Sequence, residues 1–303
     1  MPKRNILYVV NPKAGVKKKN LFRDIEAISK QKGLNYRMLV WERADQDIVS
    51  LVKENLDDSI DIVVAIGGDG MVNRIAQALV NTKFSMGIIP MGSGNGLARF
   101  LQIPLSLEKS IDVLLNGKIV QVDTCEINNQ LFMATAGAGF DAHVGKLFAN
   151  STKRGFFSYV KITLKQFKVY EPKEYELVLD GKSLKIVAFS LTIANANQWG
   201  NNAVIAPEAD IQDGIMEITV LKPFKMWNAP NIALRLFNKT IHLTKHSETF
   251  KAREILITRS DGGAVHYDGE PDEMGTELRI KINPLTINMV VPDRSNFKSI
   301  VSE

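Results

Sequence analysis

The sequence predicts an α/β unit followed by a β unit: a doubly wound parallel sheet over residues 1–120, a mostly antiparallel β-sandwich over 121–290, and a closing segment 291–303. Three observations predict this. Apolar strand-like runs alternate with helical patterns from Asn5 to about residue 118. After Asn116-Gly117 the texture changes to segments in which apolar and polar residues alternate. Within that second half, Asn128-Asn129 and Asp180-Gly181 separate strand pairs as hairpin turns. A chain of 303 residues is also long for one compact core and natural for two.

The elements follow in order. Ile6-Leu7-Tyr8-Val9-Val10 is a strand, and Asn11-Pro12-Lys13-Ala14-Gly15 turns out of it ahead of Lys17-Lys18-Lys19. Residues 17–32 read as a helix with Leu21, Ile25 and Ile28 on one face. A strand at 36–41 precedes a helix at 45–56 with Ile48, Leu51, Val52 and Leu56 at helical spacing. The run Asp61-Ile62-Val63-Val64-Ala65 then ends in Ile66-Gly67-Gly68-Asp69-Gly70, and 71–80 is helical. A strand at 86–89 ends in Pro90-Met91-Gly92-Ser93-Gly94-Asn95-Gly96, and helices continue to Leu115. The second half offers strands at 174–180, 184–194, 215–221, 254–258, 277–282 and 287–291.

Composition narrows the class. With 45% hydrophobic and 23% charged residues the chain is a folded globular protein. No stretch approaches the ~18 apolar residues of a membrane span, and Met1-Pro2-Lys3-Arg4 leads straight into a strand, so no cleavable signal is expected. Cys125 is the only cysteine, so no intrachain disulfide forms; a cytoplasmic location is expected, with Cys125 structural. The net charge of +5 is mild and suits an anionic nucleotide or an anionic membrane surface without requiring either. No nucleic-acid-binding motif is present, so no nucleic-acid partner is expected.

Three strands thus end in glycine or asparagine turns, and in a parallel sheet those ends line one edge, where ligands bind. Glycines let backbone N–H groups approach a phosphate, and a following helix start adds a positive dipole end. A carboxylate beside an anion calls for a cation between them. The simplest reading is a nucleoside triphosphate with Mg²⁺, Asp69 acting on the metal or on the acceptor hydroxyl. Expected phosphate contacts are Asn11, Gly67, Gly68, Gly70, Gly92, Ser93 and Asn95. A structural strand-to-helix turn with a surface Asp is the bland alternative. No turn has the Walker A pattern, and none the G-x-G-x-x-G spacing after a first strand.

Asn11-Pro12-x-x-Gly15, Gly67-Gly68-Asp69-Gly70, Pro90-x-Gly92-Ser93-Gly94-Asn95 and Asp268-Gly269-Glu270 occur in the order of the diacylglycerol kinase catalytic family, which the chain resembles from Asn11 to Glu270. That family includes bacterial lipid kinases, sphingosine kinases and ceramide kinases. Gly92-Ser93-Gly94-Asn95 looks more like the sphingosine and ceramide kinase branch. The chain departs from the common pattern at Met71, Arg74 and Gly96. The resemblance implies an NAD-kinase-like first domain, last residues that return to it, and an ATP- and Mg²⁺-dependent kinase acting on a hydroxyl of a membrane lipid. It also implies that the loop His266-Tyr267-Asp268-Gly269-Glu270-Pro271 places Asp268 near the transferred phosphate and Glu270 near the nucleoside. The base is then Asp69 or Asp268.

The second half holds the acceptor candidates. Gly137-Ala138-Gly139-Phe140-Asp141 reads as a glycine loop presenting a carboxylate, to a lipid headgroup or to solvent. Asp210 and Asp213 before Gly214 could hold a structural Mg²⁺ or close a plain turn. Residues 146–173 and 222–253 each carry seven Lys or Arg against one acid, interleaved with aromatics. That mixture suits peripheral contact with the anionic inner face of a membrane, or else amphipathic helices with their rings in the core. A homodimer stays open. The rival functions are an NAD kinase and a nucleotide-binding regulatory protein with a degenerate site.

Overall fold

The computed structural model describes residues 4–11, 20–41, 46–149, 151 and 156–293, with backbone only at 156–159. Pro12, Lys13, Gly15, Lys17, Lys18, Lys19 and the segment 294–303 lie outside the described residues. The chain forms two compact units, one made of the residues up to Val122 and those from Leu285, the other of Asp123–Pro284.

The first unit is α/β. It comprises β1 (Asn5–Val10), α1 (Leu21–Gln31), β2 (Asn35–Val40), α2 (Ile48–Glu54), β3 (Ile62–Gly67), α3 (Asp69–Leu79), β4 (Ser85–Pro90), α4 (Gly96–Phe100), α5 (Leu107–Asn116) and the start of β5 (Lys118–Ile127). β2, β1, β3 and β4 lie side by side in that order, all parallel. The chain passes from β1 to β2 on one side and then to β3 on the other, so a topological switch point falls between β1 and β3. Both strands read as continuous apolar runs because the sheet is covered on both faces. Ile6, Tyr8, Val10, Ile62, Val64 and Ile66 pack with Ile25 of α1 and Ile111 and Leu114 of α5. Asp47 caps α2, its carboxylate accepting from the Val49 amide at 3.1 Å.

The second unit is a sandwich of two antiparallel layers. Its further elements are β6 (Gln130–Phe132), β7 (Thr135–Gly139), α6 (Phe140–Ala149), α7 (Phe156–Phe167), β8 (Lys173–Leu179), β9 (Lys182–Ala188), β10 (Ser190–Ala194), β11 (Met216–Leu221), α8 (Ala229–Phe237), β12 (Ser247–Ala252), β13 (Glu254–Arg259), β14 (Gly263–Tyr267), β15 (Glu270–Met274) and β16 (Glu277–Val291). One layer runs β12-β11-β10-β7-β14-β15; the other contains β16-β13-β8-β9. Leu191, Ile193, Ile218 and Val220 of the first layer meet Tyr175, Leu177, Ile255, Ile257 and Leu278 of the second in one core. The Asn128-Asn129 and Asp180-Gly181 turns carry positive φ at both central residues, as two-residue hairpins require.

Two strand boundaries differ from expectation. The run 184–194 is not one strand: β9 and β10 lie in different layers, the chain changing layer at Phe189. The segments 277–282 and 287–291 are a single strand, β16, whose Leu285 has φ 52°. There the strand exchanges partners, pairing with β13 before the bend and, through Asn288 and Met289, with β4 after it.

Candidate active site

In the first unit the register sets the carboxyl ends of β1, β3 and β4 along one edge. Val10 is opposite Ile66, and Gly67 is opposite Pro90, so Asn11, Gly68 and Met91 each follow the carboxyl end of a neighbouring strand. The β3 and β4 turns touch through bare backbone. A Cβ on Gly92 would lie 2.5 Å from the Cα of Gly68, and a Cβ on Gly68 3.1 Å from the Cα of Gly92. The Met91 amide donates to the Gly67 carbonyl at 2.8 Å, fastening one turn to the other. Asn95 then locks the second turn. It sits in the left-handed region at φ 49°, is buried, and bonds Gly92 twice: Oδ1 accepts from the Gly92 amide and Nδ2 donates to its carbonyl, both at 2.8 Å. Arg99 Nε donates to the Gly94 carbonyl at 3.1 Å.

Asp69 is the first residue of α3, half-buried, with Gly68 as its N-cap. Its carboxylate therefore sits at the positive end of an 11-residue helix, beside amides with no partner inside the helix. Asn11 is half-buried at the end of β1, and Ser93 is exposed. Of the departures noted in sequence, Met71 packs under Gly67, where a Cβ would lie 2.6 Å from the Met71 Cβ; Arg74 is exposed; Gly96 begins α4.

In the second unit the carboxylates are placed differently. Asp268-Gly269 forms the two-residue turn of the β14–β15 hairpin, with φ 47° and 80° and Tyr267 opposite Glu270. The carboxylate of Asp268, expected near the transferred phosphate, does not project from this turn. Its side chain turns inward and accepts from the amides of Met133, Ala134 and Thr135 at 2.7, 2.7 and 3.2 Å. Its own amide donates to the Thr135 carbonyl at 2.8 Å. Glu270 is exposed on β15. Sequence reading missed Arg259, which is buried and donates to the carbonyls of Gly263, Met274 and Gly275, holding the open end of the same hairpin. Burial lowers the pKa of its guanidinium.

Asp141 is not in a loop. β7 carries Gly137 and Gly139, and Asp141 lies in the first turn of α6, buried. Its Oδ2 is 2.9 Å from Nε2 of His266 on β14, and Thr192 Oγ1 donates to the same oxygen at 3.4 Å. Gly137 makes room for the pair, since a Cβ there would come within 2.6 Å of both atoms. Asp141 Oδ1 and His266 Nδ1 are buried without a hydrogen-bond partner. His266 had no role in the sequence reading; a histidine 125 residues away gives no local signal.

Asp210 and Asp213 each close a turn, accepting from the amides of Gln212 and Ile215 at 3.0 Å. Burial, and then neighbouring Asp210, raise the pKa of Asp213. Glu217 of β11, which the sequence reading also passed over, is buried and its pKa is pushed up to about 7 by burial and by Glu208. Its Oε2 accepts from the Glu208 amide at 3.1 Å, while Oε1 is buried without a partner. Among the described residues no three His, Cys, Asp or Glu side chains converge as a metal-binding group. Cys125 is buried and its pKa is raised well above the usual value by burial.

Two family descriptions divide the chain. Residues 5–127 match the diacylglycerol kinase catalytic domain, and residues 134–291 match the YegS C-terminal NAD kinase beta sandwich-like domain. The chain belongs to the diacylglycerol kinase family. Its members are phosphotransferases. A probable YegS-like lipid kinase of Shewanella frigidimarina is 27% identical over 83% of this chain and 82% of its own length. A diacylglycerol kinase of Bacillus subtilis is 26% identical over 74% and 76%. The fold is shared with a putative diacylglycerol kinase from Bacillus anthracis, at a TM-score of 0.78, 19% identity and 96% of both chains. It is shared more distantly with yeast NADH kinase, at a TM-score of 0.55, 12% identity, 99% of this chain and 87% of that one. The departures at Met71, Arg74 and Gly96 are thus carried within this shared fold.

Proposed function

We propose that this chain transfers the γ-phosphate of ATP to a hydroxyl of a membrane lipid, diacylglycerol-like or sphingoid, as a peripheral enzyme at the cytoplasmic face. The observation that carries the reading is the backbone contact of Gly68 with Gly92 beside Asp69 at the start of α3. A groove floor without Cβ atoms, flanked by helix-start amides, fits a polyphosphate and offers little to an apolar ligand. The phosphates would be held by Asn11, Gly67, Gly68, Gly70, Gly92 and Ser93, with Asn95 fixing the turn, and Asp69 would face a Mg²⁺ ion. Bound there, Mg-ATP supplies the transferable phosphoryl group and neutralises the charge that develops on it.

The chain's own residues then divide the work. Asp69 orients the acceptor oxygen or the metal; a carboxylate needs no raised pKa for this, since phosphoryl transfer depends more on positioning than on early deprotonation. Asp268 acts as a positioning residue, tying its turn to 133–135 and so steadying, within its own unit, the hairpin that carries Glu270, the residue we assign to the nucleoside. Asp141 is the acceptor-side carboxylate, held by His266. Asp210 and Asp213 would take a structural Mg²⁺ only with backbone or water oxygens to complete its shell. Incubation with radiolabelled ATP, Mg²⁺, mixed lipid vesicles and NAD tests the reading. Labelled lipid is expected. Labelled NADP would replace the reading with an NAD kinase, and no label in either would replace it with a nucleotide-binding regulatory protein.

A further inference from the structure

Between β11 and β12 the chain leaves the sandwich for an excursion at 222–246, in which α8 is flanked by single 3-10 turns at Met226–Asn228 and Ile241–Leu243. α8 is apolar on two sides. Ile232 and Leu236, one turn apart, pack inward with Ile241 on Ile205, Ala206, Ala209 and Leu221. Pro230, Ala233, Leu234 and Phe237 stand at i, i+3, i+4 and i+7, and all four are exposed. A surface helix normally gives that spacing to its core side and polar residues to the other. The flanking turns add Trp227 at 72% exposure and Leu243 at 64%. Of ten strongly exposed large hydrophobic residues among those described, Trp227, Leu234, Phe237 and Leu243 fall within this one excursion.

Its charge has one sign. Lys222, Lys225, Arg235, Lys239 and Lys245 are accompanied by no Asp or Glu before Glu248. They are not equivalent. Arg235 is spent on Asn231 Oδ1 and the Thr240 carbonyl, and Lys222 pairs with Glu248 at 2.7 Å. Lys225, Lys239 and Lys245 are exposed, and the Lys225 ammonium lies 4.8 Å from the centre of the Trp227 ring.

We propose that this excursion is a docking surface for an anionic lipid bilayer, with α8 lying in the interface, Trp227, Leu234, Phe237 and Leu243 entering the headgroup–acyl boundary, and Lys225, Lys239 and Lys245 meeting lipid phosphates. Apolar stripe, boundary tryptophan and unopposed lysines are the combination an interfacial helix uses. A second copy of the chain fits the surface poorly, because a two-fold contact sets this patch, which carries positive charge and no Asp or Glu, against itself. The proposal rests on the lipid-acceptor reading for its biological setting, but its test does not depend on catalysis.

The full chain is floated with vesicles of phosphatidylcholine alone and of phosphatidylcholine with about one third phosphatidylglycerol. Wild type is expected to bind the anionic vesicles and to be released by salt. Leu234→Ser/Phe237→Ser/Leu243→Ser and, separately, Lys225→Glu/Lys245→Glu should each bind at least about tenfold more weakly, with unchanged melting temperature. Brominated lipid should quench Trp227 fluorescence, and Trp227→Phe should abolish that quenching while Trp41 and Trp199 remain. Phosphorylation of a short-chain acceptor in detergent is run beside it and should be equal in all variants. Variants that bind vesicles as tightly as wild type, or a wild type that binds neither vesicle, would overturn the docking surface whether or not the short-chain acceptor is phosphorylated. Docking that depends on these residues with no lipid phosphorylated would leave the surface standing and sink the kinase reading instead.

Discussion

Asp69 and Asp268 stand in similar surroundings, Gly68-Asp69-Gly70 and Tyr267-Asp268-Gly269, yet the two units use them in opposite ways. Asp69 opens a helix at the carboxyl edge of a parallel sheet, half-buried, where the amides beside it have no partner inside the helix. Asp268 opens a hairpin turn, is buried, and is wrapped by the amides of Met133, Ala134 and Thr135. The difference lies in the element each glycine leads into. A helix start leaves backbone donors for a ligand. A β-hairpin closes its own backbone pairs, so its carboxylate is available to anchor the turn to a neighbouring segment.

The strongest test of the helix-start side is Gly92→Ala. The new Cβ would meet the Gly68 Cα at 2.5 Å, a backbone atom that cannot swing aside, and Asn95 Oδ1 at 2.8 Å. We expect nucleotide affinity to fall by about 100-fold, with a stability loss of about 2 kcal/mol, read by nucleotide titration and urea unfolding. Affinity within a few-fold of wild type would show that the turn contact does not shape the phosphate site. On the hairpin side, Asp268→Ala leaves buried amides without an acceptor and should destabilise by about 3 kcal/mol, while Asp268→Asn, which keeps one acceptor oxygen, should lose less. Equal unfolding midpoints for wild type and Asp268→Ala would deny the anchoring role.

Glu217 supplies a pH-dependent term elsewhere in the sandwich. Its folded-state pKa of about 7 lies above the ordinary 4.5, so the native state holds the proton more tightly than the unfolded chain. The stability this proton contributes is present in full below about pH 4.5 and is lost as pH rises toward and past 7. At about 1.4 kcal/mol per pKa unit, the loss reaches about 3 kcal/mol at most. Glu217→Gln should therefore be about as stable as wild type near pH 5 and more stable near pH 8. A difference that does not grow with pH in urea unfolding would remove Glu217 as the source. The smallest effect is expected at Gly145 in α6, where an added Cβ meets nothing within 4 Å. Gly145→Ala should change stability by less than about 1 kcal/mol, toward greater stability, and leave nucleotide affinity untouched; a loss like that at Gly92 would make the glycine contrast meaningless.

The first unit was legible in sequence because its signals are local. Apolar runs ending in Gly67-Gly68-Asp69-Gly70 and in Gly92-Ser93-Gly94-Asn95 mark strand, turn and helix within a few residues of one another. The hairpin turns Asn128-Asn129 and Asp180-Gly181 were legible for the same reason. What the sequence hid is long-range. Asp268 meets amides 133 to 135 positions away, and Asp141 meets His266 across 125. The layer change at Phe189 is invisible because β9 and β10 together keep one strand-like pattern. In α8 the outward stripe is written at helical spacing, but so is the inward one, and only burial separates them.

Asp69→Asn measures the central claim most directly, because it removes a charge and preserves shape at the start of α3. Single-turnover transfer from radiolabelled ATP to lipid vesicles should fall by at least about 1,000-fold, with melting temperature unchanged. Transfer near the wild-type rate in a folded Asp69→Asn protein would contradict the account, since the carboxylate at the glycine turn would then act on neither metal nor acceptor.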